Sequence, residues 1–345
     1  MTSTEAINII FNARTAKDIF PPGEDTIRST FHKYAKVIHP DVCDDPKGQD
    51  AFLLLKDYYE YALTHPNIED LSSPYSGQKV MLRRALDISS FELGGRYTSD
   101  KDVTYILDSG KEKFFDNYLN SVKQMHNQLE HVVDVNMKKL YLPLIPQVEH
   151  TFKTSPSGYF GSRFGIVIFR NSNEYPFDLF LKAYKDELTG RDIAWMISRM
   201  TDLCCFLRWC GCPMVLNGFT ENNLFINPDN HSIHIYGGWW YATPLDEPMI
   251  GTSKDVYSVM TNKTKTDKRS AQLTDIECVK AIARHITEAN PDIPKPMLDW
   301  IRRGSNDNPI EEKMRWDDAL ERAYGPRSFT KFNYDSSKIF YKRGM

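Results

Sequence analysis

The sequence has no run of apolar residues approaching the roughly 18 needed to cross a bilayer. Its start, Met1 to Ile10, lacks the basic segment followed by an apolar core that marks an export signal. Cysteine is scarce. Cys43, Cys204, Cys205, Cys210, Cys212 and Cys278 are the only six, and without an export signal they are expected to stay reduced and build no disulfide framework. Charge of one sign is lacking as well: the formal net charge of -3 is too small to make nucleic acid or an anionic membrane the expected main partner. No internal repeat or low-complexity segment interrupts the chain. These absences predict a cytoplasmic protein that spans no membrane.

What is present suits a folded chain. Apolar residues make up 41% and charged residues 26% of it, far from the composition of disorder. A length of 345 residues exceeds one average domain and predicts two. Between His65 and Gly77 the chain gathers Pro66, Asn67, Asp70, Ser72, Ser73 and Pro74, all turn-formers. Before this stretch the pattern is helical; after it, strand-like alternation from Arg163 to Phe169 mixes with long amphipathic helices. The expected organisation is therefore a first unit over 1–68, a linker over 69–80, a body over 81–328 and a tail over 329–345.

The tail interleaves Arg327, Lys331, Lys338, Lys342 and Arg343 with Phe329, Phe332, Tyr334, Phe340 and Tyr341, against Asp335 alone. Such interleaving serves single-stranded nucleic acid, but it equally serves a tail that docks its rings on its own domain. The second reading is the expectation here.

In the first unit, Ile27, Phe31, Tyr34, Ala35 and Ile38 fall on one helical stripe, with Arg28, His32, Lys33 and Lys36 on other faces. Pro40 must stop that helix near His39, because the residue before a proline is driven out of the helical region. A polar loop from Asp41 to Asp50 leads to a second apolar helix, Phe52 to Leu63. Two antiparallel helices with His39-Pro40-Asp41 exposed at the tip are the implied geometry. The order of Phe31-His32-Lys33-Tyr34-Ala35, the tripeptide, and Phe52-Leu53-Leu54-Leu55-Lys56-Asp57-Tyr58-Tyr59 resembles the J-domain family. That resemblance implies docking on a DnaK-type chaperone and stimulation of its ATPase. It puts His39, Pro40 and Asp41 at the contact and turns Arg28, Lys33 and Lys36 toward an acidic surface. Val37 and Val42 stand where the family often carries basic residues, so the positive face is thinner than usual.

The body resembles the protein kinase fold in several stretches that occur in the right order. Ile166 to Phe180 reads as the last small-lobe strand and hinge, and Arg191 to Cys210 as the long helix before the catalytic loop, with Thr189 and Asp192 forming a near capping box. Asn217 to Ile226 reads as that loop and its following strand. Ser253 to Val259 reads as the start of the helix that anchors the large lobe, with Asp255 as its structural aspartate. The fold class implied is α+β: a small antiparallel helical-hairpin J-domain followed by a two-lobed protein-kinase-like domain.

Phosphoryl transfer needs one aspartate to orient the acceptor hydroxyl, another to hold magnesium, a lysine on the phosphates with a glutamate partner, and a glycine-rich cover. Against the kinase pattern, Asn217, Gly218 and Phe219 replace the catalytic triplet, and only Asn223 matches the metal-binding asparagine. Gly237 occupies the place of the magnesium acid. Phe91 to Tyr97 holds two adjacent glycines instead of a spaced set, Lys111 or Lys113 stands for the nucleotide lysine, and Ser121 or Val122 falls where its glutamate belongs. Losing both acids removes the metal clamp on the transferring phosphoryl. The expectation is a non-enzyme with no cofactor.

Other features read as structural. Cys205, Cys210 and Cys212 supply three of the four ligands that a closed zinc site needs. His231 and His234 lie on opposite faces of the strand expected from His231 to Tyr236 and cannot converge on a metal. Asp246 and Glu247 are solvated loop acids. The leading function is an adaptor that couples a DnaK-type chaperone to an unknown client. A divergent kinase or nucleotide sensor, and a nucleic-acid factor working through the tail, are the alternatives.

Overall fold

Thr2 and Glu5 start the first helix, α1 (Ser3–Asn12), through a reciprocal box: Thr2 Oγ1 accepts from the Glu5 amide at 3.2 Å and Glu5 Oε2 from the Thr2 amide at 2.8 Å. The computed structural model describes the whole chain except residues 14–15, 22, 65–84, 132–133, 154–162, 210–213, 270–271, 289, 291, 307, 327–330 and 341–345. The expected linker at 69–80, Cys210, Cys212, and the tail residues Arg327, Phe329, Tyr341, Lys342 and Arg343 lie outside the described residues.

Helix α2 (Glu24–Ile38) buries Ile27 and Ile38 and stops at His39, whose extended ψ of 137° is the conformation Pro40 imposes. Asp45 then folds the loop by accepting from the Lys47 amide at 2.9 Å, and α3 (Gly48–Thr64) begins ahead of the expected Phe52. Phe52, near the start of α3, meets His39 at 5.0 Å, while Tyr59, near its end, stacks on Phe31 at 4.1 Å. The two helices are therefore antiparallel. With α1 they enclose a small core of Ala6, Ile10, Phe20, Ile27, Leu54 and Leu55.

The rest of the chain has a second, larger core. It contains an antiparallel five-stranded sheet in the order β1-β2-β3-β5-β4: β1 (Asp87–Phe91), β2 (Gly94–Thr98), β3 (Asp102–Leu107), β4 (Val148–Lys153) and β5 (Phe164–Phe169). Register places Ser89, Arg96, Tyr105 and Ile166 in one row across the sheet. Tyr105 and Ile166 of that row belong to the large core; Ile106, Phe152 and Val167 form a small cluster on the other face. Helix α4 (Glu112–His131), inserted between β3 and β4, adds Tyr118, Val122, Met125 and Leu129 to the large core. The chain is α+β, and none of its described helices is long and apolar enough to cross a membrane.

Short α5 (Val135–Tyr141) and α6 (Phe177–Tyr184) lead to α7 (Gly190–Trp209). The box at the start of α7 closes as its sequence predicts, Asp192 Oδ2 accepting from the Thr189 amide at 2.8 Å and Thr189 Oγ1 from the Asp192 amide at 3.3 Å. Its apolar face, Ile193, Met196, Ile197, Met200, Leu203, Cys204 and Leu207, is buried throughout. Around α7 lie β6 (Tyr175–Pro176), β7 (Met214–Val215), β8 (Leu224–Asn227), β9 (Ser232–Ile235) and β10 (Thr243–Pro244). The helices α8 (Lys254–Val259), α9 (Asn262–Asp267), α10 (Gln272–Glu288), α11 (Lys295–Arg302) and α12 (Pro309–Tyr324) complete the fold.

The described part of the tail, 331–340, docks on the body, as its interleaved rings suggest. Phe332 meets Phe180 at 5.5 Å, Tyr334 and Phe340 meet Tyr175 at 5.6 and 5.8 Å, and the Asp335 amide donates to Tyr184 Oη at 2.7 Å. Lys338 reaches Glu187 at 3.5 Å.

Candidate functional site

At the tip of the hairpin the backbone closes on itself. The amides of Val42 and Cys43 both donate to the His39 carbonyl at 2.9 Å, and the Asp41 amide donates to His39 Nδ1 at 3.2 Å. A ring that accepts at Nδ1 carries its proton at Nε2. Phe52 backs the imidazole edge to face. The His39 and Asp41 side chains are 45% and 85% exposed, and Pro40 is exposed between them. The turn is fixed by its backbone bonds while its polar side chains are left in water.

Along α2, Arg28, His32 and Lys36 follow at intervals of four, with Lys33 alongside, and all four are exposed. Glu24 pairs with Arg28 at 2.7 Å and offsets its charge. Val42, at one of the positions lacking a basic residue, is 67% exposed. The positive face is thus carried mainly by Lys33 and Lys36.

In the body, the segment from Leu216 to Asn223 is held from below by a single carboxylate. Asp275, in the first turn of α10, is buried and accepts from the amides of Leu216 and Asn217 at 2.8 and 3.0 Å. Burial pushes its pKa up to about 7, against the pull of those two amides. This corrects the assignment of the anchoring aspartate to Asp255. That residue is exposed on the six-residue α8, at the rim of a hollow of about 270 Å³ that Phe219, Glu221 and Cys278 also line. A carboxylate can fix a buried loop only from inside the core, and α8 runs too near the surface to supply one.

Asn217, Gly218, Asn223 and Gly237 converge, but as packing. Asn217 is buried with a left-handed φ of 52°. Asn223 Nδ2 donates to the Gly218 carbonyl at 2.8 Å, and its own carbonyl accepts from the Gly237 amide at 3.1 Å. A Cβ at Gly237 would lie 2.2 Å from Asn223 Oδ1, so an acid there has no room while Asn223 keeps this position. Gly218 and Gly238 touch backbone to backbone, a Cβ on Gly218 falling 2.5 Å from Gly238 Cα. No carboxylate occupies the expected base or metal position, and among the described residues no cluster of metal-ligating side chains occurs.

Above these glycines sits an aromatic group. Trp240 is buried, stacked on Phe91 at 4.8 Å and Tyr118 at 5.7 Å, with Tyr105 edge-on at 5.1 Å. Asn117 Nδ2 on α4 donates to the Trp240 and Ala242 carbonyls at 3.2 and 2.9 Å, and Tyr118 Oη to the Tyr236 carbonyl at 2.6 Å. The lysine assignment is corrected as well. Lys113 reaches out to the Ile250 carbonyl at 3.4 Å, Lys111 precedes α4, and the position on β3 that faces the glycines is held by Tyr105. Ser121 and Val122 are buried on α4.

His231 is a turn residue, not the first of a strand: its φ is 54°, and it stacks on Trp195 at 4.3 Å. His234 lies within β9, takes the Pro143 carbonyl at 2.9 Å, and has its pKa lowered by burial in spite of nearby Glu174. The two do not share a site. No protein-family model matches the chain, and a search of curated proteins finds no match.

Proposed function

We propose that the chain is a J-domain co-chaperone in which a catalytically silent, kinase-like body holds a client. The observation that carries this reading is the fixed, solvent-facing His39-Pro40-Asp41 turn at the end of an antiparallel helical pair, with Lys33 and Lys36 beside it. Electrostatic contacts of this kind set orientation and on-rate when they meet an acidic surface. The J-domain resemblance assigns that surface to a DnaK-type chaperone.

The order of elements in the body, five strands with a helix between the third and fourth and then a helical part, supports the kinase-like reading. Gly237 packed against Asn223, and Asn217-Gly218-Phe219 in place of an acid-bearing triplet, support a body without phosphoryl transfer. The docked rings of Phe332, Tyr334 and Phe340 are engaged with the body, which argues against base stacking by the tail.

The test is co-purification from cells with wild type and His39→Gln as full-length baits. Both are expected to retain the client, and only the wild type the chaperone. A variant that loses both, or neither, contradicts the division of labour.

A further inference from the structure

Arg96 on β2 turns its side chain toward the helical part, in the row that Ser89, Tyr105 and Ile166 continue. It is 2% exposed. Its Nη1 donates to the Asn222 carbonyl at 2.8 Å, and its Nη2 lies 3.2 Å from Asp87 Oδ2, 3.1 Å from Ser89 Oγ and 3.0 Å from Asp178 Oδ2. Ser89 Oγ in turn donates to Asp87 Oδ2 at 2.7 Å, and the Phe225 ring lies beneath the guanidinium at 5.8 Å. These partners come from β1, from α6 and from the loop before β8, so one side chain ties the sheet to two elements of the helical part. Burial alone disfavours charge on Arg96, but Asp178 and Asp87 outweigh it and hold the guanidinium ionised.

We propose that Asp87, Ser89, Asp178 and the Asn222 carbonyl form a guanidinium-binding site between the sheet and the helical part, and that Arg96 is its built-in ligand. The guanidinium spreads its donors, Nη1 to the carbonyl and Nη2 to both carboxylates, while Nε is left without a partner, and a single ammonium cannot reach in both directions. Next to it, the Tyr105 hydroxyl lies 3.0 Å from where a Cβ on Gly237 would fall and its ring meets Trp240 at 5.1 Å, so side chains of the chain itself bridge the two parts. The inference deepens the reading of the body as silent: the cleft is not merely short of catalytic acids but already occupied.

The site predicts chemical rescue. Arg96→Ala removes the atoms of ethylguanidinium and leaves two carboxylates facing a cavity. In the full-length chain, the melting temperature of the body is expected to fall by roughly 6–15 °C, the range for breaking one side of a buried ion pair in a domain of this size. Millimolar ethylguanidinium should restore at least half of that loss, and ethylammonium at the same concentration should not. Wild type should respond to neither ion, nor to Mg-ATP.

If Arg96→Ala is insoluble, its recovery in soluble form only when refolded with ethylguanidinium supports the site. If it is insoluble in both conditions, Arg96→Lys decides: a point charge cannot fork, so a melting temperature several degrees lower supports the proposal and an unchanged one overturns it. An Arg96→Ala protein as stable as wild type, or equal rescue by both ions, also overturns it. A wild-type shift with Mg-ATP removes both the occupied cleft and the silent body, whereas loss of chaperone binding leaves this site untouched.

Discussion

His39 and Asp41 stand 45% and 85% exposed where the chain turns between two helices, while Asn217, Asn223 and Asp275 are buried where it turns in the body. Both turns rest on polar side chains bonded to backbone, yet they use them in opposite senses. The tip spends its hydrogen bonds on shape, His39 Nδ1 taking the Asp41 amide, and leaves the rest of each group in water. The body turns its polar groups inward: Asp275 serves two amides, Asn223 serves Gly218, and the glycines permit contact that any side chain would block. At the tip the polar side chains keep one bond to backbone and stay in solvent, whereas Asp275 and Asn223 are buried with their bonds inside the chain, which is the mark of architecture.

Trp240→Ala should produce the largest effect, because the indole is wholly buried among Phe91, Tyr105 and Tyr118. The loss expected is about 3–5 kcal/mol in the denaturant unfolding of the body. A loss under about 1 kcal/mol would show a loosely packed cleft and weaken the contrast with the tip.

Asp275→Ala comes next, at about 3 kcal/mol, since two amides lose their acceptor inside the core. Its carboxyl has a folded pKa of about 7 against an unfolded value near 3.8, so between those values the native state holds a proton that the unfolded state has released. Its contribution is therefore fully present below about pH 4, declines as pH rises to about 7, and is level above. Asp275→Asn should remove this slope, so that wild type loses stability relative to the variant as pH rises across that window. An unchanged slope would assign the carboxyl to an exposed setting.

Asp255→Ala sharpens the comparison from the other side. It is exposed on α8, and its loss should stay within about 0.5 kcal/mol. His39→Gln should be equally mild for stability, with its thermal transition within a degree or two of wild type, because the ring is half in water.

The contrast also decides what could be read from the chain. The hairpin was legible because its signals are local: a stripe from Ile27 to Ile38, a proline that ends it, and a second apolar helix soon after. The capping pair Thr189 and Asp192 and the ring-bearing tail were legible for the same reason. That Phe219 and Gly237 stand where a kinase pattern would carry its acids was visible as letters, but that Gly237 has no room for one is a fact of Asn223 in space.

The anchoring aspartate was misplaced because Asp255-Val256-Tyr257-Ser258-Val259 and Asp275-Ile276-Glu277-Cys278-Val279 are similar as short strings, each an acid followed by a β-branched residue one and four places on. Helix length separates them, 6 residues for α8 against 17 for α10, with Ile276, Val279, Ala283 and Ile286 spaced for burial. Arg96 left no such trace. Its partners Asp178 and Asn222 are 82 and 126 residues away in sequence, and only the folded sheet brings them together.

The measurement closest to the central claim is single-turnover ATP hydrolysis by a DnaK-type chaperone in the presence of full-length wild type, His39→Gln and Asp255→Ala. Wild type and Asp255→Ala should accelerate hydrolysis equally, and His39→Gln, folded and as stable as wild type, should leave the chaperone at its basal rate. Acceleration by His39→Gln to the wild-type level would contradict that claim, since the exposed turn would then not be the contact.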